Sequence, residues 1–126
     1  MGRVLAATLA LCALVAGEAD AAPLTRLVGK PYDTARSGLV RAGYRIVRFQ
    51  RGADFVPCPD DPSRCERYPE AINCSGTGLA FCQFAWFDKM HHRYLIIATH
   101  GEERRVMDSV TVASRQERSG WPREIR

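Results

Sequence analysis

No stretch of this 126-residue chain is long and apolar enough to be a membrane-spanning helix. The longest apolar run, Val4 to Ala16, has 13 residues, where about 20 are required. No C-x-x-C pair occurs, which excludes a thioredoxin-like redox centre, and the cysteine gaps lack the close C-x2-4-C spacing of structural zinc sites. The nucleophile elbow G-x-S-x-G is missing as well, because Cys74-Ser75-Gly76 has no glycine two residues before the serine. The glycine turn between Cys74 and Cys82 lacks the lysine of a phosphate loop, so Gly76 and Gly78 read as conformational residues. None of the three histidines, His91, His92 and His100, has a partner at i+4 on a helical stretch. Lysine is scarce: Lys30 and Lys89 stand against 16 arginines, a bias read as compositional rather than as a recognition motif. There is no internal repeat and no low-complexity tract.

What is present begins with the first 21 residues. Arg3 supplies a positive start, Val4 to Ala16 an apolar run, and Ala19-Asp20-Ala21 a small-residue cleavage site, which together predict a secretory signal peptide over residues 1–21. Cys12 follows Leu11 where a lipoprotein signal wants a small residue, so it is expected to leave with the leader. The mature chain then keeps four cysteines, Cys58, Cys65, Cys74 and Cys82, an even set suited to an oxidising compartment, periplasmic or secreted. Loss of Arg3, Glu18 and Asp20 leaves 17 basic and 12 acidic residues, a net charge of +5. In an exported protein that charge points to anionic lipid, cell-wall polymer or an acidic protein, and not to nucleic acid.

The 105 mature residues suffice for one small domain, 22–113, followed by a charged segment, 114–126, expected to be a flexible tail apart from docking of Trp121. Pro31 to Gly43 reads as a helix: Pro31 suits its entrance, Asp33 its positive end, Ala35 and Leu39 with Val40 or Ala42 make an apolar stripe, and Gly43 stops it. Tyr44 to Phe49 turns at once β-branched and aromatic. Residues 51–78 carry four prolines and few apolar residues, and are expected to be a loop ordered by disulfides. Leu79 to Phe87, Tyr94 to Thr99 and Arg105 to Ala113 read as strands joined by hairpin-sized connections. The expected fold is α+β: one N-terminal helix on a three- to four-stranded, mainly antiparallel sheet, with a disulfide-stapled loop.

Two resemblances accompany this reading. Gly29, Ala35, Leu39 and Gly43, spaced G-x5-A-x3-L-x3-G before a strand, resemble the helix motif of PASTA domains, small modules that bind peptidoglycan fragments and β-lactams. Those modules lack a cysteine loop, so this resemblance implies only the αβ start. Over residues 28–101 the order PYDTARSGLVRAGY, Cys65, Tyr68-Pro69-Glu70, Cys74-Ser-Gly-Thr-Gly78, Cys82-Gln-Phe-Ala-Trp86 and Thr99-His-Gly101 resembles an uncharacterised family of small exported proteobacterial proteins. That resemblance implies a periplasmic location and no activity.

Four cysteines allow three connectivities, of which the local pairing Cys58–Cys65 and Cys74–Cys82 is favoured. Alternation sends Phe84 and Trp86 to one sheet face and Phe81 and Phe87 to the other, one set forming core. Arg45, Arg48, Glu70, Trp86 and Arg93 form the candidate binding surface, although Glu70 also suits a structural salt bridge. The leading expectation is a non-enzymatic binding or structural module without cofactor, metal or catalytic residues, acting on an envelope polymer or a protein partner. Alternatives are a small periplasmic hydrolase using His100 with an acidic neighbour, an inhibitor of an extracellular enzyme with the stapled loop as wedge, and a metal carrier using His91 and His92.

Overall fold

The computed structural model describes residues 22–52, 55–58, 62–75, 78–101 and 105–126, without the side chains of residues 22, 23, 64 and 65. The expected leader, Gly76 and the Cys65 side chain therefore lie outside the described residues. In chain order the elements are α1 (Ala22–Thr25), α2 (Tyr32–Arg41), β1 (Arg45–Ile46), α3 (Ser63–Glu66), β2 (Ala71–Cys74), β3 (Cys82–Asp88), β4 (Arg93–His100), β5 (Val106–Val112) and α4 (Arg115–Ser119).

Helix α2 starts at Pro31, carries Asp33 in its first turn and Arg41 in its last, and buries Tyr32, Ala35 and Leu39. Val40 points outward, 53% exposed, so the apolar stripe is completed by Tyr32 and not by Val40. Its end is a Schellman motif: the Gly43 N–H donates to the Val40 carbonyl and the Tyr44 N–H to the Leu39 carbonyl. Gly43 sits at φ 91°, where a Cβ is strained, and this glycine turns the chain directly into β1.

The sheet is antiparallel throughout, in the order β1-β3-β4-β5, with β2 also paired to β3. Strands β1 and β2 thus share one edge of β3, which makes β3 the centre of the molecule. The α+β architecture is as expected, with five strands in place of three to four. The additional strand, β2, falls inside the segment read as loop. Ala71 and Ile72 supply its buried residues, and the register sets Cys74 opposite Cys82, where the two are joined by a disulfide across a Cα–Cα distance of 4.1 Å. Cys58 is also disulfide-bonded.

Both faces of the sheet are covered, which is why β3 and β4 read as nearly continuous apolar runs. On the α2 side lie Tyr32, Leu39, Tyr68, Phe84, Trp86, Leu95, Ile97 and Met107. On the outer side lie Val47, Phe49, Ile72, Ala85, Ile96 and Ala113, flanked by Phe55, Phe87, Tyr94 and Trp121. The outer face is closed by residues 114–126, the segment expected as a tail. Ser114 and Glu117 form a reciprocal capping box that starts α4. Beyond it the Gln50 N–H donates to the Arg123 carbonyl and the Ile125 N–H to the Arg48 carbonyl, while Trp121 meets Phe49 and Tyr94 edge-on at 5.8 Å each. Trp121 thus packs on the apolar outer face of the sheet.

Among the described residues, no helix is long and apolar enough to cross a membrane.

Candidate functional site

The five residues of the candidate surface are distributed over both faces of the sheet. Glu70 is fully buried and Trp86 likewise, so neither is a surface group. Alternation along β3 turns Trp86 under α2, where its Nε1–H donates to Tyr32 Oη at 3.2 Å. Tyr32 in turn donates to Glu70 Oε1 at 2.9 Å, and Arg36 meets the same carboxylate through Nε at 2.5 Å and Nη2 at 3.3 Å. A buried carboxylate is tolerated only when paired and hydrogen-bonded, and this chain of four side chains does both. The bond from Glu70 holds the Arg36 guanidinium above its usual pKa, and burial beside Glu70 pushes the Tyr32 phenol well up.

Arg93 shares the α2 side of the sheet and is also engaged. Its Nε lies 3.0 Å from Asp88 Oδ2, which His91 Nδ1 approaches to 2.8 Å, and the His91 N–H donates to Asp88 Oδ1 at 3.3 Å. Burial raises the Asp88 carboxyl, but the bonds from His91 and Arg93 outweigh it and leave its pKa below the usual range. This cluster closes the β3–β4 turn.

A second arginine group was not legible as such from the sequence. The buried Tyr68 ring, whose hydroxyl donates to Asp33 Oδ1 at 2.7 Å, is approached by Arg67 at 5.3 Å, Arg105 at 5.5 Å and Arg36 at 5.9 Å. Tyr68-Pro69-Glu70 was visible as a motif; that it nucleates core and ion pair together was not.

Arg45 and Arg48 are exposed. Arg45 lies opposite Phe87 in the β1–β3 ladder, its Cζ 5.1 Å from that ring. Phe87 contacts Tyr94 at 5.0 Å between centroids, and Arg118 from α4 sits 4.6 Å over Tyr94. The result is a row, Arg45–Phe87–Tyr94–Arg118, on the outer face. Glu124 touches two of its members, accepting from Tyr94 Oη at 3.2 Å and lying 3.9 Å from Arg45. An arginine–aromatic surface thus exists, built from Phe87 and Tyr94 and not from Trp86.

The histidines are dispersed. His92 faces Phe87 at 6.0 Å, and His100 Nδ1 lies 3.5 Å from Asp108 at the far end of β4. Glu70 is bonded to Tyr32 and Arg36, and His100 is paired with Asp108. Among the described residues no three His, Cys, Asp or Glu side chains group as metal ligands. No family model, no curated protein and no solved structure matches this chain.

Proposed function

We propose that the chain is an exported, disulfide-stabilised, non-enzymatic binding module that engages an anionic component of the cell envelope through its outer sheet face. The reading is carried by one observation, the row Arg45–Phe87–Tyr94–Arg118. A guanidinium stacked on a ring has lost rotamer freedom in advance, so less ordering entropy is lost when an anion binds; at Arg45 that anion competes with the Glu124 carboxylate 3.9 Å away. The Cys74–Cys82 disulfide supports export, since such bonds persist in oxidising compartments.

The test is retention of the mature chain on an acidic polysaccharide resin, with wild type compared with an Arg45→Glu, Arg118→Glu double variant. Retention that weakens with salt and is lost in the variant is the expected result. Equal retention of both proteins overturns the reading. Because Arg118 packs on Tyr94, Arg45→Glu alone serves as the second variant, with circular dichroism checking its fold.

A further inference from the structure

Beside the row of stacked arginines lies a groove of about 570 Å³, walled by the segment after β1, by β2 and by the turn that follows α4. Its size falls in the range of small-ligand sites, roughly 300 to 1,000 Å³. Phe55 and Trp121 give it apolar ring surface, Gln50 and Asn73 bring side-chain amides, and Arg51 and Arg123 bring positive charge. No Asp or Glu among the described residues lines it.

Arg51 sets the electrostatics. Its Nη1 donates to the Ala71 carbonyl at 3.2 Å and its Nη2 to the Tyr68 carbonyl at 2.7 Å, while its Cζ stands 5.2 Å from the Phe55 ring. The guanidinium is thereby fixed in place by backbone carbonyls, and burial lowers its pKa against the opposing pull of the Glu70 carboxylate. Arg51 is exposed, and with its guanidinium held on carbonyls it brings a fixed positive charge to the adjoining groove, with which an anion placed there interacts favourably. Arg123, exposed at the rim, adds a planar fork suited to a carboxylate. Amides such as Gln50 and Asn73 each offer donor and acceptor, which matches sugar hydroxyls, and ring surface suits the C–H face of a pyranose.

We propose that this groove binds a carboxylate-bearing sugar, a uronic acid unit, with the ring against Trp121 and Phe55, hydroxyls on Gln50 and Asn73, and the carboxylate toward Arg51 and Arg123. The assignment rests on the binding-module reading and names the ligand class for an adjoining site.

The mature chain has two tryptophans after its leader, and Trp86 is fully buried, so a ligand-dependent change in collisional quenching reports Trp121. Titration with galacturonate, with digalacturonate, with neutral galactose and with inorganic phosphate is the experiment. Galacturonate is expected to protect Trp121, digalacturonate more so, and galactose to bind about tenfold more weakly or worse. Arg123→Gln and Asn73→Ala, both at exposed positions, are each expected to weaken galacturonate by about tenfold. No protection by galacturonate at about 10 mM overturns the proposal, as does equal binding of galactose or equal binding of phosphate. Failure here with intact, salt-sensitive resin retention sinks the groove and leaves the outer-face reading standing. Protection of Trp121 that persists in Arg45→Glu supports the groove independently of that face.

Discussion

Arg36 on α2 and Glu70 before β2 form an ion pair whose two ends differ in their access to water: the Glu70 side chain is 0% exposed and that of Arg36 is 29% exposed. Removing the arginine therefore strands a buried charge, whereas removing the glutamate leaves a cation that can rehydrate. Arg36→Met is expected to cost about 3 kcal/mol or more in urea unfolding, and Glu70→Gln distinctly less. A double variant close to Arg36→Met plus Glu70→Gln would contradict the pairing, since coupled partners are non-additive.

Stability should fall at both ends of the pH scale for identifiable reasons. The Asp88 carboxyl is held low, so its contribution is complete above the ordinary carboxylate value of about 4 and is lost as pH falls through its folded value. The Tyr32 phenol is raised, so its contribution is complete below about 10 and is lost as pH climbs beyond. Urea midpoints across pH should show a flatter acid limb for Asp88→Asn and a flatter alkaline limb for Tyr32→Phe. Unchanged limbs would mean that other groups set them.

Thr99 in β4 is fully buried, and its Oγ1 has no hydrogen-bond partner among the described residues. Thr99→Val removes a desolvated hydroxyl at constant shape and is expected to raise stability by about 1 kcal/mol. A loss of stability would reveal a bonded water at that position.

Gly43 turns α2 into β1 at φ 91°, and a Cβ there would meet nothing within 4 Å. Gly43→Ala should thus cost about 1 kcal/mol through backbone strain alone, with Gly43→Asn costing less because asparagine tolerates this region. Thermal unfolding of the two variants separates strain from packing.

The Cys74–Cys82 disulfide closes a loop with a sequence separation of 8. Chain entropy assigns it roughly 2.5 kcal/mol, and a Cys74→Ala, Cys82→Ala variant should lose that and more, because Cys82 is also buried core. A fully stable double variant would show that β2 pairs with β3 without the staple.

The helix, its glycine stop and four of the five strands were legible because each rests on a local signal: periodicity, a C-terminal glycine, or a β-branched, aromatic or apolar run between turns. Strand β2 was hidden because Ala71-Ile-Asn-Cys74 is too short to show alternation and stands among prolines; its order comes from β3 across the ladder. Alternation sorted Phe84 with Trp86 but could not say which face α2 would cover, so Trp86 was placed at a surface that the fold instead builds from Phe87 and Tyr94. Arg45 was legible as exposed, while Arg118 was hidden in a segment whose charges gave no period.

Strand β3 meets its partners across very different lengths of chain. Arg93 of β4 is 5 residues from Asp88, Cys74 of β2 is 8 from Cys82, and Tyr32 of α2 is 54 from Trp86. The entropy lost on closing a loop grows with the logarithm of its length, and local pairings form first. The hairpins on either side of β3 are therefore expected to assemble before the helix docks. Cys74 and Cys82 come face to face through a closure of 8 residues, so local geometry suffices to bring them together without the N-terminal helix.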